Sequence, residues 1–298
     1  ADADGHAGFS WTKLDAAGNA LAIGAATWSC VRDNVTGLIW EAKTDDGGAR
    51  DKDNTYTHAN ATAYVASLNG VAPCGFSDWR LPTPQELAAM LDTSRASGAL
   101  ADPLAFPLQQ AAGYWASTGA VQDGAAAWFM DFSSGIDSWQ NKANPAYVRL
   151  VRSSVTPPAS RYTAHGDGTL SDHQTGLMWR ICSEGLGGST CTTGTAQSYT
   201  WQAALQRAGV VNADPAGLGL GHADWRLPNR NELSSIVDLA RNPAVDSVRF
   251  PGVQASSHWT STPVAKLPGN AWAVDFASGN TIPLLVGGSR AVLLVRDL

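Results

Sequence analysis

The sequence predicts an α+β protein built from two tandem copies of one domain, over residues 1–154 and 160–298. Three observations carry this. The stretch DWRLPTPQEL at 78–87 returns as DWRLPNRNEL at 224–233, with seven of its ten letters unchanged. Two windows, 59–69 and 201–208, repeat apolar residues at intervals of three and four, the period of a helix packed on one face. The rest of each copy alternates short β-type runs with Gly, Ser, Asn and Asp turns. A chain of 298 residues has room for two domains that each bury a core.

In chain order, each copy opens with a predicted hairpin. In the second copy the run YTAHGDGTLSDHQTGLMW sets GDG between two strand-like segments. The predicted helix comes next, and then the DWRLP element. Thr83, Pro84 and Glu86 have the sequence form of a helix start, with an N-cap hydroxyl, a proline in the first turn and a carboxylate three residues past the cap. Asn229 and Glu232 repeat the form. Trp-rich and Val-rich strands close each copy, and SSVTPPAS (153–160) reads as a short stiff linker.

Other segments match across the copies: VRDNVTGLIWEA (31–42) with LSDHQTGLMWRI (170–181), YWAST (114–118) with HWTST (258–262), WFMDFSSG (128–135) with WAVDFASG (272–279), and YVRLVR (147–152) with AVLLVR (291–296). Eight of the 12 tryptophans fall on matched positions. Their neighbours are turn, cap and core types, so the repeated Asp, Arg and Glu of DWRLP read as scaffold. Asp78 and Arg80, like Asp224 and Arg226, are expected to belong to an internal ion pair or hydrogen-bond network, with loss of one member of a buried pair costing about 3 to 5 kcal/mol.

Composition narrows the partners. Charged residues are 15% of the chain and the net charge is -6, with no basic run, which argues against nucleic acid and other polyanions. No apolar stretch approaches the ~20 residues of a membrane span. Cys30, Cys74, Cys182 and Cys191 lie two to a half without zinc-ligand spacing, so the expected state is two disulfides, Cys30–Cys74 and Cys182–Cys191, in an oxidising compartment.

The ordered set TGLIW, DWRLP, YWAST, AWFMDFSSG and YVRLVR resembles the bacterial domain-of-unknown-function family that includes the C-terminal domain of the Legionella collagen-like adhesin, and it occurs twice. The resemblance implies a C-type-lectin-like fold for each copy, with two helices packed on short twisted antiparallel sheets. It also implies export to the cell surface, the periplasm or the medium, and ligand or surface binding as an adhesin or receptor-like protein. The fold is shared with formylglycine-generating enzymes and with retroelement-diversified receptors, whose variable contact positions lie late in the domain. Here that region lies after Ser117 and after Ser261.

Candidate chemistry is sparse. The six histidines have no counterparts between copies: His58 aligns with Trp201 and His258 with Tyr114. No motif for a nucleophile, a phosphate loop or a dinucleotide appears, so no catalytic residue and no cofactor is expected. The loop DDGGARDKDN (45–54) offers Asp45, Asp51 and Asp53 as oxygen ligands for calcium, against the plainer reading of a solvated turn. The segments that differ most between copies point to Trp139, Asn141 and Lys142 in the first domain and Ile282, Leu284, Val286 and Arg290 in the second as binding residues. The resulting expectation is a non-catalytic binding protein for a protein or cell-surface glycan, without membrane insertion. The alternatives are a structural subunit of a surface appendage or secreted protein complex, with self-association as an oligomer also open, and an enzyme of the formylglycine-generating branch.

Overall fold

The computed structural model describes residues 9–22, 24–153 and 160–298. The chain divides into two compact units, Ala1–Thr156 and Pro157–Leu298. Apart from its end residues Ser153 and Ser160, the expected linker lies outside the described residues.

Among the described residues the first unit holds two sheets. Strands β1 (Trp11–Leu14), β2 (Cys30–Asp33) and β3 (Leu38–Glu41) make an antiparallel meander, and β9 (Val151–Ser153) joins its far edge. A five-stranded sheet runs in the order β4 (Thr55–Tyr56), β8 (Ala146–Tyr147), β5 (Gly113–Gly119), β6 (Ala126–Asp131), β7 (Asp137–Asn141). Only the β5–β8 contact in it is parallel. Helix α1 spans His58–Val71 and α2 spans Pro84–Ala89.

The second unit repeats the plan. Its four-stranded sheet is β10 (Tyr162–Ala164), β11 (Thr169–Asp172), β12 (Leu177–Arg180) and, from the chain's end, β20 (Val295–Asp297). A small hairpin, β13 (Leu186–Gly187) with β14 (Thr193–Gly194), is an addition. The five-stranded sheet has the order β15 (Ser198–Tyr199), β19 (Arg290–Ala291), β16 (Ser257–Pro263), β17 (Asn270–Asp275), β18 (Thr281–Leu285). Helices α3 (Trp201–Asn212) and α4 (Arg230–Ser234) complete it.

This corrects the expected fold class. The units are not α+β C-type-lectin-like domains with two helices on sheets; small, almost wholly antiparallel sheets carry them, and α2 and α4 are only 6 and 5 residues long. The capping box starts each short helix as the sequence foretold, but the residues beyond the first turns do not sustain it. From Leu91 to Ala112 the chain has no regular structure, because Asp92 and Asp102 turn their carboxylates onto the amides of Ser94 and Leu104 (3.1 and 2.9 Å) and hold turns in place of helix.

The repeated motifs are turns and locks. In TGLIW, Asp33 accepts from the Val35 amide and the Thr36 hydroxyl (2.9 and 2.6 Å), and Gly37 takes φ 73°, a left-handed conformation that suits glycine. DFSSG is the β6–β7 turn, with Asp131 accepting from Ser133 and Ser134. Asn69 clamps the backbone of Trp79 from both sides (2.7 and 2.9 Å), and Asn212 does the same to Trp225 (both 2.8 Å). All eight shared tryptophans are buried. Both expected disulfides are formed, and no free cysteine remains.

The charged residues of DWRLP join a hydrogen-bonded ion network as expected, but a partly exposed one, with Arg80 43% and Asp78 59% accessible at their side chains. Arg80 pairs with Glu86, not Asp78, through two bonds of 2.7 and 2.6 Å, and Asp78 pairs with Arg152. Arg226 with Glu232, and Asp224 with Arg296, repeat this. Asp78 and Arg80 lie two apart, flanking Trp79 in an extended segment, and each meets its cation or anion on another element instead: Asp78 on β9, Arg80 on α2.

Candidate functional site

Helix α1 begins at Thr57, whose hydroxyl caps the Asn60 amide. Its first residue, His58, ties three elements together. The His58 amide donates to the Lys142 carbonyl just past β7 (3.0 Å), and its ring Nε2 lies 3.1 Å from the Ala116 carbonyl on β5. A carbonyl only accepts, so Nε2 carries the proton and Nδ1 is left as an acceptor. Between Trp115 and Gly119 the β5–β6 register shifts, and this bulge takes Ser117 off the ladder, its amide donating to the Pro82 carbonyl (2.7 Å), before pairing resumes at Gly119 opposite Ala127. The result is an open groove of about 550 Å³ lined by Thr57, His58, Ala59, Ser117, Gly119, Lys142 and Ala143. Its polar groups stand on a background of methyl and backbone surface. Lys142 Nζ donates to the Gly124 carbonyl at 2.8 Å, which leaves two ammonium protons for other acceptors.

The second unit has the same frame with other contents. The Trp201 amide donates to the Val286 carbonyl (3.0 Å) and its indole to the Thr260 carbonyl (2.8 Å), the counterparts of both His58 bonds. Bulky Trp201, Pro263 and Val286 stand where the first unit has His58, Gly119 and Lys142. Trp201 and Val286 pack against the core of their unit, so the matched space is taken up by side chains.

The sequence-nominated residues divide accordingly. Lys142 lines the groove. Asn141 ends β7 and accepts the Ala143 amide at 2.9 Å, which makes it a turn residue. Trp139 sits in mid-strand on β7, 41% exposed. Leu284 turns inward with Val286, while Ile282 pairs with Ala273 on β18 and is half-buried. Arg290 lies over the Trp259 ring at 6.0 Å. The exposed apolar residue of that strand is Leu285, 70% accessible. The structure brings only Lys142 into the groove. His58, Ser117 and Gly119 were missed, and their signal was the mismatch of His58 with Trp201 and of Gly119 with Pro263.

Carboxylate oxygens of Asp45, Asp51 and Asp53 do converge, within 4.8 Å of one another. Their charge is already answered. Lys52 Nζ bridges Asp45 (2.9 Å) and Asp53 (2.8 Å), and these hydrogen bonds raise the ammonium's pKa. Asp51 accepts the amides of Asp46, Gly47 and Asp53, and the backbone donors, Asp53 first, hold its carboxyl below the usual range. A calcium ion at these carboxylates would have to displace the Lys52 ammonium.

A further set of ionisable groups is interior. Glu41 is fully buried and accepts from Tyr64, Lys43 (3.0 Å) and the Leu150 amide (3.0 Å), while buried Arg149 donates to the Glu41 carbonyl. Burial pushes the Tyr64 phenol far above its ordinary range and lowers the Lys43 ammonium. At the matched positions the second unit carries Arg180 and Arg207, both paired with buried Glu184, so the charges are exchanged while the pairing is kept. His258 and Ser183 are both 0% exposed. The ring Nδ1 donates to the Ser256 carbonyl (3.0 Å), so Nε2 accepts from Ser183 (2.9 Å), and burial drops its pKa to about 4. A hydroxyl and imidazole so enclosed meet no substrate.

Among the described residues no helix is long and apolar enough to cross a membrane. The family model described as the Lcl C-terminal domain matches the chain twice, over residues 29–152 and 168–296. No curated protein matches it.

Proposed function

From the premise that the chain belongs, twice over, to the Lcl C-terminal domain family, we propose that it is an exported, non-catalytic binding protein of adhesin type, and that its first unit takes the ligand in the His58–Lys142 groove. The observation that carries this is the contrast between units. One frame, held by matching hydrogen bonds, is open at His58 and Lys142 in the first unit, while Trp201 and Val286 at the same places in the second pack onto its core. A space that the fold can close but leaves open in one copy is where selection for a ligand acts. Two hydroxyls, an imidazole and one ammonium on a small-residue surface suit a hydroxyl-rich or peptide-like ligand. Both cysteine pairs being joined supports an oxidising compartment. The reading as a formylglycine-generating relative rested on the C-type-lectin-like fold and has no separate support.

The test is capture of neutral and sialylated oligosaccharides and of extracellular-matrix proteins by the immobilised chain, compared with Lys142→Glu. Capture by the native chain that falls at least tenfold in the variant is expected. A native chain that captures nothing removes the binding function, and equal capture by Lys142→Glu removes the groove.

A further inference from the structure

The edge of the first unit's five-stranded sheet differs from its counterpart in one residue that decides what the edge can do. Strand β7 is the last strand of the order β4-β8-β5-β6-β7, and among the described residues it pairs only with β6. The Lys142 amide donates inward to the Ala125 carbonyl at 2.8 Å, just beyond the strand. Amide and carbonyl direction alternates along a strand, so Gln140 and Ser138 also face β6, and the backbone of Trp139 faces away. In the second unit the Val286 amide donates inward to Gly269 at 3.0 Å, which turns the backbone of residue 283 outward in the same way. The registers agree: Trp139 stands opposite Trp128, and Pro283 opposite Trp272.

At this outward position the second unit carries a proline, which has no amide hydrogen to offer a further strand. That is a known way of closing a sheet edge. The first unit carries a tryptophan with its donor and acceptor directed outward and its indole 41% exposed, whereas the tryptophans that the copies share are buried.

We propose that β7 is a self-association edge, where two copies of the chain pair antiparallel about Trp139. The strand is suited to its own copy. Centred on Trp139, an antiparallel pair lets the two Trp139 residues exchange N–H···O=C bonds across a two-fold axis, and the two indoles cover one another. It brings the two Asp137 residues, the only charged ones of DSWQN and buried in their own units, to opposite ends of the pair, so that like charges do not face each other. A strand of five residues gives a small contact, so association is reversible and rises with concentration. The inference does not depend on the groove.

The test is sedimentation equilibrium of the whole chain, native and Trp139→Pro. The substitution copies Pro283, a residue the same frame already accepts, and should leave thermal unfolding unchanged. The native mass should climb with concentration from 31.2 kDa toward twice that value, and Trp139→Pro should stay at the single-chain mass. A second variant, Trp139→Cys, reports the register. Residues of a hydrogen-bonded antiparallel pair have Cα atoms about 5.5 Å apart, within disulfide reach, so mild oxidation should link two chains. A native chain of single mass at every concentration, a Trp139→Pro chain that associates like the native one, or a Trp139→Cys chain that does not cross-link overturns the proposal.

Discussion

Arg80 and Glu86 form a two-pronged ion pair of 2.7 and 2.6 Å, and the same Glu86 carboxylate accepts the Thr83 amide at 2.8 Å, so one side chain both caps α2 and holds the extended segment before it. Arg80 also exchanges two backbone bonds with Val151 (2.9 and 3.0 Å), which stitches the helix start to the last strand of the unit. Arg226, Glu232, Asn229 and Val295 repeat every link.

Arg80→Ala and Arg226→Ala should therefore lower stability without touching binding. Arg80 is 43% exposed at its side chain and Glu86 18%, so water weakens the pair and the loss is about 1 kcal/mol, less than a buried pair would cost. Glu86→Ala should cost more, about 2 kcal/mol, since the cap goes with the pair. Urea unfolding measures both; a larger loss for Arg80→Ala than for Glu86→Ala would contradict this ranking.

Acid should weaken the second unit through His258. In the unfolded chain the ring takes up a proton near its ordinary value of about 6.5, but in the folded unit only near about 4, with the Ser256 carbonyl and then the Asp275 carboxylate giving slight relief. The depressed value means that this contribution is whole above pH 6.5 and is lost as pH falls toward 4, by roughly 3 kcal/mol in all. The difference in unfolding free energy between the native chain and His258→Gln should shrink over that window. A pH-independent difference would show that the ring is not held neutral by burial.

Calcium should leave the melting temperature of the chain unchanged relative to chelator, because Lys52 already bridges Asp45 and Asp53. Asp51→Ala should lower it, since three backbone amides lose their acceptor. A rise with calcium would place an ion in the loop.

Removing the disulfides should have unequal effects. In the chain-entropy account the Cys30–Cys74 loop, with a separation of 44 residues, contributes about 4 kcal/mol, and the Cys182–Cys191 loop, with a separation of 9, about 3. Paired Ser substitutions and chemical denaturation give the order, and a larger loss at the shorter loop would contradict it.

Much of the frame was legible because its parts are local. The capping boxes at Thr83 and Asn229 and the pairing of four cysteines arise from short-range spacing or simple parity. The β-rich character was not, because strands of two to seven residues carry little period of their own and are recognised only by their distant partners. The amide locks of Asn69 and Asn212, and the pairing of Glu41 with Tyr64 and of Arg180 and Arg207 with Glu184, depend on contacts across the fold that a linear repeat does not reveal. At the candidate site the sequence pointed to loops that differ between copies and found Lys142. In the sequence His58 is only a histidine without a counterpart in the other copy, whereas in the fold it lines the groove.

The most direct measurement is ligand capture by a chain whose groove has been filled with the second unit's own residues, His58→Trp with Gly119→Pro, scored beside its thermal unfolding. Trp201 and Pro263 already occupy these places in an equivalent frame, so the double variant should fold and melt like the native chain. The account predicts an unchanged melt with capture reduced at least tenfold. Capture at the native level by the folded double variant would place the binding site elsewhere.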